Sequence, residues 1–132
     1  MRILIIPDSF KESLTANEVS QAIHKGIIDV LPNVEVVKIP FSDGGEGALE
    51  VLMEHSNGEL VKCVTKNALG EKCDGKYFLF KEKKAAWIEL SQASGLAQIN
   101  PEKRDVLRAS TYGTGLLIKD ALSKGCTEII LG

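Results

Sequence analysis

Apolar positions along this chain recur with two different periods, and turn or capping residues stand where the period changes. Residues 2–6 carry the run Ile3-Leu4-Ile5-Ile6, broken by Pro7, the pattern of a buried strand. Thr15-Ala16-Asn17-Glu18 follows as a capping box, with Thr15 at the N-cap and Glu18 three positions on. Ala16, Val19, Ala22, Ile23, Ile27, Val30 and Leu31 then recur at helical spacing. Asn17, Glu18, Gln21, His24 and Lys25 fall on the opposite face, and Pro32-Asn33 ends the helix. Residues 34–39 read as a second strand. This βαβ order predicts parallel pairing through a right-handed crossover.

A second helix is predicted over 46–55, through Leu49, Val51, Leu52 and Met53, with Ser56-Asn57-Gly58 ending it. The pattern then changes. Strands are expected over 60–64, 77–80 and 85–90, with turn chemistry at Asn67-Ala68-Leu69-Gly70 and Cys73-Asp74-Gly75. The cluster Lys81-Glu82-Lys83-Lys84 reads as a solvated hairpin turn. Residues 91–110 look irregular, broken by Gly95 and Pro101. A third helix is predicted from Tyr112 or Gly113 to Lys124, with Gly125 at its C′ position, and a buried strand over 127–131.

The expected class is α/β. Residues 1–58 and 91–132 are assigned to a parallel-sheet domain that begins with the βαβ unit. Residues 59–90 are assigned to a β-meander that belongs to, or leads into, a second, smaller β-rich domain. A parallel strand is normally followed by a loop and a covering helix. A chain ending at such a strand is therefore expected to be part of a longer protein, and Ile129, Ile130 and the apolar helix faces are expected to be left uncovered.

Composition narrows the function. The 132 residues carry a net charge of −2, with one Trp and two Tyr, which speaks against nucleic acid or an anionic membrane surface as partner. Cys63, Cys73 and Cys126 are odd in number and lack a Cys-x-x-Cys spacing, so reduced thiols are expected rather than a disulfide framework or zinc site. His24 and His55 have no metal-ligand spacing; His55 suits a helix C-terminus. The N-terminal apolar run is too short for a signal sequence or a membrane span, and a cytoplasmic protein is expected.

Candidate chemistry gathers at strand exits, where ligands of open α/β sheets sit. The first exit is Pro7-Asp8-Ser9-Phe10-Lys11-Glu12-Ser13-Leu14 and the second is Ser42-Asp43-Gly44-Gly45-Glu46-Gly47. Asp8 can take a proton from a hydroxyl or bind Mg²⁺, and Lys11 can neutralise phosphate oxygens, which is what phosphoryl transfer asks of a protein. Asp8 and Ser9 fit an ordinary turn equally well. Gly44 and Gly45 let the backbone approach a ligand, while Asp43 and Glu46 would repel an anion unless a metal, most economically Mg²⁺, lies between. A tight turn whose Glu46 complements a helix N-terminus is the plain alternative. Thr111-Tyr112-Gly113-Thr114-Gly115 opens the last helix with hydroxyls and glycines that suit phosphate or simple capping, and Ala93-Ser94-Gly95-Leu96 is a weaker signal. No Walker A sequence or Gly-x-Gly-x-x-Gly fingerprint occurs.

Taken together and in order, the segments Pro7 to Leu14, Asp43-Gly44-Gly45-Glu46-Gly47, Ala93-Ser94-Gly95-Leu96 and Ser110-Thr111-Tyr112-Gly113-Thr114-Gly115 resemble the N-terminal part of the bacterial glycerate kinase family. The resemblance implies ATP- and Mg²⁺-dependent phosphorylation of D-glycerate, usually to 2-phosphoglycerate, in a two-domain α/β enzyme with a flavodoxin-like or Rossmann-like sheet. It implies Asp8, Lys11 and Asp43 as catalytic candidates, with Asp8 or Asp43 as base or metal ligand. Ser9, Gly44, Gly45, Glu46, Ser94, Thr111 and Thr114 become candidates for substrate or phosphate binding, and Asp43 and Glu46 for Mg²⁺. Family members are much longer and continue past the strand matching 127–132 into a Gly-rich loop, so the missing C-terminal portion counts as a partner and this stretch alone is expected to be inactive. Oligomerisation is left open. Ala48, Val106 and Leu116 depart from the family pattern, where Thr, Pro and a polar residue are usual. The competing reading is a non-catalytic α/β domain holding a small anionic ligand.

Overall fold

The computed structural model describes residues 1–11 and 13–132. Strand β1 (Arg2–Ile5) and strand β2 (Glu35–Lys38) pair in parallel, with Arg2 opposite Glu35 and Ile5 opposite Lys38. Helix α1 (Ala16–Val30) is the crossover between them. Its capping box forms as the sequence predicts. The Glu18 N–H donates to the Thr15 hydroxyl at 3.3 Å, and the Thr15 N–H donates to the Glu18 carboxylate at 2.8 Å. The Thr15 backbone N–H, and then its hydroxyl, hold the Glu18 carboxyl below its ordinary value.

Helix α2 (Ala48–His55) leads into a four-stranded sheet. Its strands are β3 (Gly58–Lys66), β4 (Lys72–Phe80), β5 (Ala85–Ile88) and β6 (Glu128–Leu131), in that spatial order. The first three pair antiparallel, and β6 joins β5 in parallel. Between β5 and β6 lie the short helix α3 (Ser91–Ser94), two 3-10 turns (Leu96–Gln98 and Pro101–Lys103) and helix α4 (Tyr112–Ser123). Side chains alternate along β4. Tyr77 joins Leu117 and Ala121 of α4, with Ala86, Ile88, Ala93 and Cys126, in one buried cluster. Phe78, also buried, points to the other face, where Lys76 reaches Glu50 of α2 at 3.8 Å. The sheet is thus sandwiched between α2 and the α3–α4 pair. Burial pushes the thiols of Cys63, Cys73 and Cys126 upward, which suits three free cysteines. Among the described residues no helix is long and apolar enough to cross a membrane.

Several elements differ from the sequence pattern. Cys73-Asp74-Gly75 is not a turn but the interior of β4, with Gly75 opposite Cys63. A side chain on Gly75 would press within 2.9 Å of Leu117 and Thr65, so this glycine serves close packing of α4 on the sheet. Residues 91–110 are less irregular than expected, holding α3 and the two 3-10 turns. β6 pairs with β5, a strand of the 59–90 stretch, and not with β1 or β2, which departs from the expected grouping of 91–132 with 1–58. In that place Ile129 and Ile130 are partly buried, and Ile129 packs on the core cluster. β1 is only half buried: Leu4, and Ile6 just past the strand, are each 53% exposed, because a pair of strands with one helix offers cover on one face alone. The apolar side of α1 is likewise buried only at Ala16 and Val19, while Ile23 and Val30 remain exposed.

Candidate active site

Parallel pairing of β1 and β2 sends both following loops out at the same end, and hydrogen bonds continue past the strands to join them. Ile39 N–H donates to the Ile5 carbonyl at 2.9 Å, and Phe41 N–H donates to the Pro7 carbonyl at 3.0 Å. Asp8 and Asp43 are thereby brought together. One oxygen of the Asp8 carboxylate accepts the Ser9 N–H at 2.6 Å, and the other accepts the Asp43 N–H at 3.2 Å. The Ser9 hydroxyl donates to the Glu46 carbonyl at 3.0 Å. Asp43 folds its own turn, its Oδ1 accepting the Gly45 N–H at 2.9 Å. The turn needs backbone angles that side chains disfavour: φ is +99° at Gly44 and +95° at Gly47. A Cβ at Gly47 would stand 3.4 Å from the Ser9 hydroxyl, an ordinary contact, so it is the backbone angle that calls for glycine here.

The joined loops open on a cavity of about 240 Å³ lined by Ser9, Lys11, Glu46, Gly47, Glu89 and Gln92, among others. Lys11 is exposed, on a tight loop where Phe10 and Leu14 exchange backbone hydrogen bonds. Glu12 lies outside the described residues. Among the described residues, Asp8, Asp43, Glu46, Glu50 and Glu89 stand in or beside this region against Lys11 at the cavity and Lys76, which reaches Glu50. That balance disfavours a bare anion. Among the described residues no group of three or more His, Cys, Asp or Glu side chains is placed to hold a metal ion. Mg²⁺ needs fewer, since it commonly keeps waters and takes one or two carboxylates plus phosphate oxygens. Asp43 Oδ2 and the Glu46 carboxylate engage no protein donor among the described residues, so the donor set fits such an ion.

The remaining candidates lie elsewhere. The Ser94 and Thr114 hydroxyls hydrogen-bond each other at 2.8 Å where α3 meets α4. Thr114 is buried and Thr111 exposed, and neither they nor Ser94 line the cavity. Thr111 stands at the N-cap of α4 without a side-chain capping bond; the Ser110 hydroxyl accepts the Tyr112 N–H instead, at 3.1 Å. The residue missed from sequence is Glu89. It is a third acid at a strand exit, directly after Ala85–Ile88, and the rule that singled out Asp8 and Asp43 applies to it too.

The glycerate kinase family profile matches residues 3–132. The chain belongs to the glycerate kinase family. It is 46% identical over its whole length to a glycerate kinase of Haemophilus influenzae and 43% identical to a glycerate 2-kinase of Escherichia coli. A crystal structure from Salmonella typhimurium LT2, presented as a glycerate kinase 2, superposes over the whole chain with a TM-score of 0.69 at 42% identity. The chain spans 35% of the length of each of these relatives. As a glycerate kinase family member it holds the amino-terminal motifs that the sequence displays, two of them joined at one sheet end.

Proposed function

We propose that the whole protein to which these residues belong is a cytoplasmic kinase that transfers the terminal phosphoryl group of ATP to a hydroxyl of D-glycerate, giving 2-phosphoglycerate. The observation that supports it most is the physical junction of the two strand-exit motifs, Asp43 N–H on the Asp8 carboxylate, in a chain of this family. Lys11 at the cavity rim offsets charge on the transferring group. Asp8 is held by two N–H donors and so has one orientation, as a base that must meet a hydroxyl requires. Ser9 lines the cavity, and Gly44 and Gly45 form the turn that carries Asp43 and Glu46 beside it. Asp43 and Glu46 would hold Mg²⁺, which neutralises phosphate oxygens when bound. Ser94, Thr111 and Thr114 stay outside this scheme because they neither line the cavity nor take part in the hydrogen bonds that join the two loops beside it, as Asp8 and Asp43 do.

The test is a coupled ATP-consumption assay of the full-length protein against a panel of small hydroxy acids, with the product identified by NMR. Glycerate should be turned over in preference to the other acids and carry phosphate at its 2-hydroxyl. Lys11→Ala should lower turnover about a hundredfold to a thousandfold, the range for removing one preorganised donor, with the melting temperature unchanged. Turnover within a few-fold of the unsubstituted protein would make Lys11 a surface residue. Tight binding of glycerate with no ATP consumption would favour a non-catalytic domain for a small anion.

A further inference from the structure

Glu89 is the most buried acid of the described chain, 1% exposed, and no cation pairs with it among the described residues. Burying a carboxylate is costly unless fixed dipoles replace its water. Three donors do so. The Leu49 N–H reaches Glu89 Oε2 at 2.9 Å, and the Ser91 hydroxyl and the Gln92 side-chain amide (3.3 Å) donate to Oε1. Leu49 is the second residue of α2, whose N-cap is Gly47, a residue with no side chain to offer. An N-terminal helical N–H without a partner is a defect, and an anion there also meets the positive end of the helix. Glu89 therefore caps α2 from 40 residues away along the chain.

The cap has a consequence for the cavity. The Gly-rich turn 43–47 runs directly into α2, and its Glu46 carbonyl receives the Ser9 hydroxyl. On one side that turn is tied to loop 7–9, and on the other its helix is tied to Glu89 at the exit of β5. Glu89 also lines the cavity. We propose that Glu89 is a positioning residue: its carboxylate sets the depth and rotation of the α2 N-terminus and so holds Asp43, Gly45 and Glu46 against Asp8 and Ser9. This rests on reading the cavity as the kinase site. The requirement is for an acceptor at a given reach, not for negative charge toward the ligand.

Two conservative variants of the full-length protein separate reach from charge. Glu89→Gln keeps the reach and one acceptor oxygen for Leu49, and the Ser91 hydroxyl and Gln92 amide can turn to accept from its NH₂. Glu89→Asp keeps the charge and loses about 1.5 Å of reach, one carbon–carbon bond. In Glu89→Asp, kcat should fall about tenfold to a hundredfold, the scale of a misplacement near 1 Å. In Glu89→Gln, kcat should stay within about threefold of the unsubstituted protein on the same scale. The Leu49 amide, read in ¹⁵N-leucine-labelled protein, should lose its protection from hydrogen exchange in the Asp variant and keep it in the Gln variant. A Gln variant as impaired as the Asp variant, an Asp variant as active as the unsubstituted protein, or a Leu49 amide as protected in the Asp variant as in the unsubstituted protein would each overturn the proposal. If the unsubstituted protein phosphorylates no hydroxy acid, the kinase reading fails, and the Leu49 comparison still decides whether Glu89 holds the turn.

Discussion

Two glycines of the helix-opening motif, Gly113 and Gly115, have opposite physical meanings although they stand two residues apart. A Cβ on Gly113 would collide with the Lys66 carbonyl oxygen and touch Ala93, because α4 lies directly on the end of β3 there. The Gly113 carbonyl also accepts the buried Thr65 hydroxyl at 2.6 Å. Gly113→Ala should therefore cost at least the upper end of the usual overpacking penalty, about 3 kcal/mol. A Cβ on Gly115 would meet nothing within 4 Å, in a helical position. Gly115→Ala should stabilise the protein by about 0.5–1 kcal/mol, the ordinary gain of alanine over glycine in a helix. Chemical denaturation of both variants checks the pair. A Gly115→Ala protein that is more stable yet loses turnover would give this glycine a role in ligand approach.

At the scale of elements, α4 is tied to the sheet by the Thr65–Gly113 hydrogen bond near its start and by a second polar contact further along. The Tyr77 hydroxyl of β4 donates to Asp120 of α4 at 2.8 Å, and Lys124 one turn on reaches the same carboxylate at 3.0 Å. Burial works to raise the Asp120 carboxyl, but the hydrogen bonds from Lys124 and Tyr77 and the Lys124 charge outweigh it, and the net direction is downward. Burial first, and then Asp120, push the Tyr77 phenol up. For an acid depressed in the folded state, the stability it contributes is present above its unfolded value and lost as pH falls through the folded one. That loss should set in below about pH 4, the ordinary range of an aspartate. For the raised phenol the contribution is present below about pH 10 and lost above it. Asp120→Asn should accordingly flatten the fall of melting temperature between about pH 5 and pH 3. Parallel melting curves for the two proteins would show that Asp120 contributes nothing to acid sensitivity.

At the scale of the molecule, the four-stranded sheet has cover on both faces and the β1–β2 pair does not. Leu4, Ile6, Phe10, Val30 and Phe41, each more than half exposed, lie in the first 41 residues, while Leu96, Val106 and Leu107 of the segment before α4 are more exposed than most of these. Apolar surface gathered in this way favours association. Residues 1–132 prepared alone should self-associate at micromolar concentration and bind an apolar dye, and should not phosphorylate glycerate, since a third of a relative's length supplies part of the constellation only. Sedimentation velocity, dye fluorescence and the coupled assay check this. A monodisperse, dye-free monomer with glycerate-dependent ATP consumption would overturn it.

Local order was legible in the residues themselves. The capping box at Thr15 and Glu18, the parallel βαβ unit, the meander and the glycine after α4 all arise from interactions between near neighbours or from a simple apolar period. So did the joining of Asp8 and Asp43 at one end, because parallel strands send their exits the same way. What lies far apart in sequence was decided only by the fold. Gly75 resembles a turn residue until α4 is seen to press on it, and β6 could have joined either sheet until its pairing with β5 is known. Ser94 and Thr114 carry suitable hydroxyls but satisfy each other away from the cavity. Glu89 becomes the cap of α2 only when 40 residues of chain bring it to the Leu49 N–H. The physical reason is common to these cases. Periodicity and turn chemistry report the cost of each residue's own backbone state, whereas partners across the core are chosen by which faces meet once the whole chain has packed.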